Sequence, residues 1–413
     1  MSHRVVVTGI GCISAVGHSL DELWSAVVEG RTGIGQIMRF DTTPYDARIA
    51  AEISDWDPEQ YMDGKLAKRC DRFTQFAVAA SDMALADANL PITPQNEWEI
   101  GVVLGSGIGG MWTWEKQHER LLTRGPARVS PFLVPMMIVD MAAGMVSMRT
   151  GAKGPNYGPV SACASSTHAV GEAFEIVRRG AAKAMITGGT EGSVCPTALA
   201  GFCSAKALST RNDDAPQACR PFDKTRDGFV MGEGACTVIL EELQHALDRD
   251  AKIYGELIGF GMTGDAYNMV APDPTGEGAR RAMLAALDEA RLGPHEVDYV
   301  NCHAPGTPGG DAMEARAVQA IYEGSDYCPL INSTKPVHGH MLGATGATEF
   351  ALSLRTIHEG LVPRTLNCTD PDDGIWMDIV RGENRQARVD TIMTNSFGFG
   401  GHNAVLVAKR FDQ

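Results

Sequence analysis

The chain has 413 residues, a formal net charge of −15 and a hydrophobic share of 44%. That length can bury a large core, either in two domains or in one fold made of two similar halves. The acidic excess argues against generic nucleic-acid binding, and no uninterrupted apolar stretch is long enough to predict a membrane span.

Apolar runs of strand length alternate with amphipathic stretches of helix length, which predicts a layered α/β fold. In the first part of the chain we predict strands at residues 4–8, 100–104, 184–187 and 235–241. After about residue 250 the pattern restarts, with a helix at 276–290 and strands at 253–260, 297–302, 391–394 and 403–409.

Ten cysteines are scattered along the chain without Cys-x-x-Cys spacing. In a chain of this size, that pattern is typical of reduced thiols in a cytosolic enzyme, and it predicts no zinc centre. Residues 1–4 lead directly into an apolar run with no secretory segment before it. We therefore expect a cytoplasmic protein.

Cys163 lies in residues 159–168, where an apolar lead-in and several small residues precede a helical pattern. We interpret the segment as a strand that runs directly into a helix. A thiol at a helix start is close to the positive end of the helix dipole, which stabilises the thiolate. Most cysteines are small buried hydrophobes, so Cys163 taken alone is only a candidate nucleophile.

A second group of chemically active residues follows in the last third of the chain. His303 comes directly after the apolar run 297–302, and Lys335 and His340 precede a helical pattern that contains Phe350. Strand ends in open α/β sheets are natural places for catalytic side chains. A lone histidine is more often a core or surface residue. Two histidines and a lysine, together with the thiol, predict an active site.

In this order, these residues resemble those of the β-ketoacyl-acyl carrier protein synthases, specifically the elongating type II enzymes. The resemblance runs from residues 5–11 to the Gly-rich segment 395–403 and includes 207–212 and 220–234. It implies a thiolase-like α/β fold, in which two similar halves form a five-layered α-β-α-β-α arrangement. Residues 1–250 would carry the nucleophile, and residues 251–413 would carry the two catalytic histidines.

The resemblance implies an acyltransferase that extends fatty acids by decarboxylative Claisen condensation. Cys163 would take an acyl chain from its carrier, and the enolate of a malonyl carrier would attack the resulting thioester. His303 and His340 would donate hydrogen bonds to the enolate oxygen, while Lys335 would help to keep both rings neutral. No bound cofactor is expected, because the phosphopantetheine arm of acyl carrier protein carries the substrates.

The resemblance assigns further roles around these catalytic residues. Glu349 would pair with Lys335, and Phe399 would gate the site and supply an oxyanion-hole N–H together with that of Cys163. The substrate-binding positions would be Thr307, Ile108, Phe202 and Phe397, with Met111, Met136 and Met137 making the acyl pocket adaptable. Phe399 as core filler, Ile108 as an ordinary aliphatic residue and the three methionines as simple packing remain open alternatives.

An acidic enzyme that binds an acidic carrier protein needs a local basic patch. The candidate docking residues are Lys65, Lys68, Arg69 and Arg72 in one short segment, and Lys206 and Arg211 could extend the patch. A solvated helix face is the alternative interpretation of such a charge run. The resemblance also implies a homodimer in which each acyl pocket is completed across the interface.

Residues 303–307 depart from the family pattern, His-Gly-Thr-Xaa-Thr. This chain has His-Ala-Pro-Gly-Thr, so Pro305 replaces one of the two threonines that hydrogen-bond the phosphopantetheine arm. The effect on the contact to the arm and on carrier preference stays open. Asn268 and His402 also differ from many relatives, and together these changes suggest a specialised paralogue.

Three other functions must be compared with this one. A thiolase needs a second cysteine near the C-terminus, whereas the last one here, Cys368, lies outside the Gly-rich closing segment. A polyketide ketosynthase shares the fold and the catalytic residues, so only substrate tests separate it. A non-condensing partner subunit that shapes chain length typically lacks the nucleophile, and Cys163 is present.

Overall fold

The computed structural model describes residues 2–412. The strands are β1 (Val5–Ile13), β2 (Gly35–Gln36), β3 (Ile49–Ala50), β4 (Ile100–Gly105), β5 (Asn156–Tyr157), β6 (Ala184–Glu191), β7 (Gly234–Glu242), β8 (Gly255–Gly264), β9 (Tyr299–Asn301), β10 (Leu330–Asn332), β11 (Leu361–Val362), β12 (Asp378–Ile379), β13 (Arg385–Gln386), β14 (Thr391–Gly398) and β15 (His402–Lys409). The α-helices are α1 (Leu20–Glu29), α2 (Gly64–Ala67), α3 (Arg72–Asp87), α4 (Met111–Arg124), α5 (Leu133–Met137), α6 (Met141–Thr150), α7 (Ser165–Arg178), α8 (Pro196–Ser204), α9 (Leu243–Asp248), α10 (Glu277–Ala290), α11 (Pro308–Tyr322), α12 (Lys335–His338) and α13 (Thr345–Glu359).

The large sheet consists of two sets of strands with the same connectivity. The first set has the order β5-β4-β6-β7-β1, and the second has the order β10-β9-β14-β15-β8 with β12 added at its edge. Parallel and antiparallel pairs fall at the same places in both sets. The two sets join where residues 5–7 of β1 pair with 255–257 of β8. This repetition supports a division near residue 250, which stays a prediction.

Helices cover the sheet in layers. Helices α3 and α6 pack on the outer face of the first set of strands, and α10, with α11 beside it, packs on that of the second. Between the two sets lie α7 and α13, which contact each other and strands of both halves. The order is therefore α-β-α-β-α, which confirms the predicted fold class.

The central helix α13 is buried on nearly all sides, because it lies between the two sets of strands. Its close approach to α7 depends on Gly346, where an added Cβ would lie only 1.9 Å from Thr167 Oγ1. The 3₁₀ turns that precede the two helices, Ala162–Ala164 and Leu342–Ala344, contact each other. This crossing brings the two segments with the predicted catalytic residues together.

Most of the predicted elements are confirmed, although their ends differ. Strand β1 continues to Ile13 because Gly9 and Gly11 let α3 approach, and a Cβ at either would lie 2.1–2.2 Å from a helix carbonyl oxygen. The predicted strand at 297–302 is shorter, Tyr299–Asn301. The expected strand directly before Cys163 is wrong, because residues 158–161 form neither strand nor helix. Within residues 2–412, no helix combines the length and the apolar character needed to cross a membrane.

Candidate active site

Cys163 lies in a 3₁₀ turn immediately before α7. The preceding residue, Ala162, has φ +51°, a left-handed conformation that costs about 1–2 kcal/mol for a residue with a Cβ. This sharp turn presents the Cys163 side chain at the boundary between the two halves. The side chain is buried, with 9% of its residue surface exposed.

The two predicted histidines lie beside this sulfur. Nε2 of His340 is 3.1 Å from Cys163 Sγ, and the ring centroids of His303 and His340 are 5.2 Å apart. The Sγ atom and one nitrogen of each ring all lie within 4.8 Å of one another. Such atoms could also ligate a metal ion. Because they come from distant parts of the chain, cysteine spacing in the sequence could not reveal this cluster.

Lys335 forms an ion pair beneath the histidines. Its ammonium is 2.6 Å from Glu349 Oε1 and also donates a hydrogen bond to the backbone carbonyl of His303. Neither side chain is exposed to solvent. Burial raises the pKa of Glu349, and the neighbouring ammonium opposes that rise. The predicted Lys335–Glu349 pair is thus present in the geometry.

The electrostatics favour neutral imidazoles. Burial, followed by the positive charge of Lys335, holds the pKa values of His303 and His340 well below their usual range. A neutral imidazole carries one N–H donor and one acceptor nitrogen, so each ring can donate one hydrogen bond to a developing negative charge.

The helix-start effect that favours a thiolate is opposed by burial. Burial raises the pKa of Cys163 to about 12, and this outweighs Lys335 and the backbone N–H groups of Phe399 and Cys163, which act in the opposite direction. Burial therefore favours the thiol over the thiolate at Cys163. The same two N–H groups are those expected to form the oxyanion hole, and both interact with the sulfur.

Cavities lie on two sides of Cys163. A cavity of about 220 Å³ is lined by Ile108, Phe202, Leu342 and Phe399, among others. A second, of about 70 Å³, is lined by both histidines and by Pro305, Thr307 and Phe397. Cys163, Phe229 and Phe399 line both cavities. The four residues predicted to bind substrate thus divide between the two sides of the nucleophile.

The predicted methionines separate in the structure. Met111 and Met137 line an apolar surface cavity of about 500 Å³ that also reaches Ile108. Met136 instead lines a different cavity beside Arg72 and Lys116. The prediction that all three serve one acyl pocket is therefore wrong for Met136, because neighbouring residues of the short helix α5 point in different directions.

The loop that departs from the family pattern is held by α11. Thr307 caps this helix, and its side chain accepts a hydrogen bond from the Gly310 N–H. The backbone N–H groups of Gly306 and Thr307 donate to buried Asp311. Pro305 lines the smaller cavity but brings no backbone N–H.

Of the predicted docking residues, Lys65, Lys68, Arg69 and Lys206 are exposed. The Arg69 guanidinium lies 4.8 Å from the centre of the Phe132 ring. Arg72 is different, because it pairs at 2.8 Å with Glu233, whose side chain is fully buried. Its proposed part in the docking patch is therefore wrong.

Sequence reasoning missed three residues that hold the site. Glu314 accepts hydrogen bonds from the backbone N–H groups of His303 and Ala304, and Thr345 Oγ1 is 3.0 Å from His340 Nδ1. Phe229 lies against His340, with ring centroids 5.2 Å apart. No local sequence signal marks Glu314, because the groups it binds are backbone N–H groups.

Comparison with known proteins identifies the family. The model described as "Beta-ketoacyl synthase, N-terminal domain" matches residues 2–246, and the model "Beta-ketoacyl synthase, C-terminal domain" matches 254–369. The chain belongs to the β-ketoacyl synthase family.

Full-length relatives agree with this assignment. A Synechocystis protein named 3-oxoacyl-(acyl-carrier-protein) synthase 2 is 49% identical over 99% of this chain and 98% of its own length. A Staphylococcus aureus protein with the same name is 48% identical over 99% of both chains. A solved β-ketoacyl synthase from Burkholderia phymatum superposes with a TM-score of 0.92 at 33% identity, covering 99% of this chain and 100% of the other.

We expect the Lys335→Met variant to be less stable than the wild type, because it leaves the buried Glu349 carboxylate unpaired. Removing one member of a buried pair costs about 3–5 kcal/mol. The double variant Lys335→Met/Glu349→Gln should recover most of that loss. Denaturant titration of each variant gives the free energies of unfolding.

The same variants test whether the ammonium acts on the sulfur. Lys335 lowers the pKa of Cys163, so both variants should carry less thiolate at a given pH. They should therefore react more slowly with iodoacetamide at the Cys163 peptide, as followed by mass spectrometry. A double variant that regained both stability and wild-type alkylation would contradict this role.

Proposed function

We propose that this chain catalyses the decarboxylative Claisen condensation of an acyl group on Cys163 with a malonyl-acyl carrier protein, giving a 3-oxoacyl carrier in fatty acid elongation. The observation that carries the proposal is the buried cluster of Cys163, His303 and His340. It contains a nucleophile and two neutral donors, with cavities on both sides.

The first step is acyl transfer. The Cys163 sulfur attacks the carbonyl carbon of the acyl carrier thioester, the carrier C–S bond breaks, and the carrier thiol leaves with the proton. The backbone N–H groups of Cys163 and Phe399 stabilise the transient oxyanion. The acyl chain then extends into the cavity lined by Ile108 and Phe202.

The second step makes the carbon–carbon bond. The malonyl group loses CO₂, and the electron pair of the broken bond forms an enolate whose oxygen accepts hydrogen bonds from His303 and His340. The step needs the tautomer in which the Thr345 hydroxyl donates to Nδ1 of His340 and the ring proton sits on Nε2, and the 3.0 Å separation of Thr345 Oγ1 and Nδ1 allows it. The enolate carbon attacks the Cys163 thioester, the C–S bond breaks with its electron pair on sulfur, and the resulting thiolate takes a proton from solvent to regenerate the thiol.

Similarity supports fatty acid elongation over polyketide synthesis. Relatives named 3-oxoacyl-(acyl-carrier-protein) synthase 2 are 46–49% identical to this chain. A solved ketosynthase/chain length factor for ishigamide is 30% identical. The assembled nucleophile, histidines and Lys335–Glu349 pair favour an enzyme over a non-condensing subunit.

The partner is an acyl carrier protein, and the enzyme needs no bound cofactor and acts in the cytoplasm. A ketosynthase solved in complex with its acyl carrier protein superposes on this chain with a TM-score of 0.92 at 28% identity. The exposed cations Lys65, Lys68, Arg69 and Lys206 supply positive charge for docking an acidic carrier on a chain of net charge −15.

The protein forms a homodimer through the region from α4 to residue 160, just after β5. Large exposed apolar side chains concentrate there, including Leu122, Val134, Met148 and Val160, each more than half exposed. Strand β5 ends the sheet with both residues exposed, and such an edge can pair with another chain. Exposed apolar surface of this extent marks an interface.

The central test is the intact mass of the protein after exposure to a panel of acyl carriers, followed by a malonyl-carrier chase. We expect acyl mass on Cys163 that the chase converts to a 3-oxoacyl carrier, and none in Cys163→Ala. His303→Ala and His340→Ala should acylate but condense about 10²–10³-fold more slowly, because each removes a donor to the enolate. Absence of acylation with every carrier would favour a partner-subunit role.

Reversing the charge of the docking surface should weaken only those reactions in which a carrier protein delivers the substrate. Lys65→Glu/Lys68→Glu should raise KM for acyl carriers at low salt, while leaving acylation by a small N-acetylcysteamine thioester unchanged. The matched control is Arg281→Glu, an exposed cation on α10. Equal KM values for the patch and control variants would exclude docking at this patch.

A homodimer should dissociate when charged side chains are introduced into its interface, and the mass measured by sedimentation should then fall. We expect the wild type to sediment as a dimer of the 44.1 kDa chain, and Val134→Asp/Met148→Asp as a monomer. The control is Met38→Asp, which changes an 80% exposed apolar side chain outside this region. A monomeric wild type would refute the homodimer.

A further inference from the structure

Glu191 is a buried carboxylate with an unusual set of partners. It is the last residue of β6 and has no solvent exposure. Its oxygens accept hydrogen bonds from the N–H groups of Gly107 (2.8 Å), Ile108 (3.3 Å) and Gly343 (3.1 Å) and from the hydroxyl of Ser106 (3.3 Å). Burial raises its pKa to about 7, and hydrogen bonds are the main opposing influence.

These donors belong to two separate segments that line the cavity beside Cys163, each forming one of its walls. Residues 106–108 follow β4 and contribute Ile108, whereas residues 342–343 follow His340 and contribute Leu342. The two segments touch, because a Cβ built on Gly343 would lie 2.2 Å from the Gly107 nitrogen. One carboxylate therefore binds both walls where they meet.

We propose that Glu191 is a positioning residue that sets the width of the acyl cavity by holding Ile108 and Leu342 at a fixed separation. The inference rests on the proposed function, since it takes this cavity as the site of the acyl chain. A neutral amide cannot replace the carboxylate, because it has one acceptor oxygen for donors that now use two.

The charge of Glu191 gives the positioning role a distinct signature. This charge raises the pKa of Cys163. A purely electrostatic role would therefore make Glu191→Gln more reactive at the sulfur. A positioning role makes the same variant slower with acyl chains long enough to reach Ile108. The two effects have opposite signs.

The experiment compares Glu191→Gln with the matched control Glu241→Gln. Glu241 is also a fully buried carboxylate at the end of a strand, but its partners are Thr8, His245 and Arg249, away from the acyl cavity. For each protein we would measure kcat/KM of Cys163 acylation with acetyl and dodecanoyl carriers. Hydrogen exchange of peptides covering 104–110 and 340–345 reports the backbone contacts directly.

We expect Glu191→Gln to lose about 10- to 100-fold in dodecanoyl transfer, the effect of leaving buried donors unpaired, with a much smaller loss for acetyl transfer. Exchange should accelerate in both peptides together. Glu241→Gln should lose stability without changing the ratio of the two rates.

Three outcomes would overturn the proposal: equal losses for both chains, the same selective loss in Glu241→Gln, or unchanged exchange in both peptides. A wild type that no carrier acylates would refute the proposed function instead. The exchange measurement would then still decide whether Glu191 holds the two walls.

Discussion

The arrangement of the active site depends on one ion pair that water does not reach. Lys335 and Glu349 are both fully buried, and the lysine also binds the backbone carbonyl of His303. A single ammonium thus connects α12, α13 and the segment after β9. An isolated buried charge would be very costly, so each member of the pair requires the other. The pair fixes the backbone of one histidine and sets the charge that both histidines experience.

Burial favours neutral rings and a protonated sulfur, and the Lys335 charge reinforces burial at the histidines but opposes it at Cys163. Burial disfavours every charged form, and Lys335 adds a further penalty to an imidazolium while favouring a thiolate. These effects therefore disfavour a thiolate–imidazolium pair before the substrate binds. In the proposed reaction, charge develops only when an oxyanion or enolate forms among donors already in place, so little reorganisation is needed.

Much of this site could be predicted from the sequence, because Cys163, His303, Lys335 and His340 each stand in a local motif at the end of an element. The α/β fold class could also be predicted, because the alternation of strands and helices is a local pattern that the sequence shows. A helix start that favours a thiolate is visible in the sequence, whereas the burial of Cys163, which favours the thiol, is not. The docking role predicted for Arg72 was wrong for a similar reason: its partner Glu233 lies on a distant segment, and the sequence does not show this pairing.

Two of the residues that sequence reasoning missed share one property. Glu314 and Glu191 act on backbone N–H groups, and any residue type can supply a backbone N–H. A motif records side chains, so it contains no sign of which peptide groups a distant carboxylate will bind. Such residues become visible only when the fold shows which N–H groups converge.

The two cavities explain how one sulfur can serve two substrates in turn. If the acyl chain and the malonyl arm shared one cavity, the bound product of the first step would obstruct the second substrate. Here the larger cavity extends from Cys163 toward Ile108, and the smaller one is lined by both histidines and Thr307. The proposed enolate therefore forms on the opposite side of the thioester from the acyl chain. Phe399 borders both cavities, and its backbone N–H reaches the sulfur. A movement of this one residue would thus alter access and oxyanion stabilisation together, which couples entry of the second substrate to the geometry needed for attack.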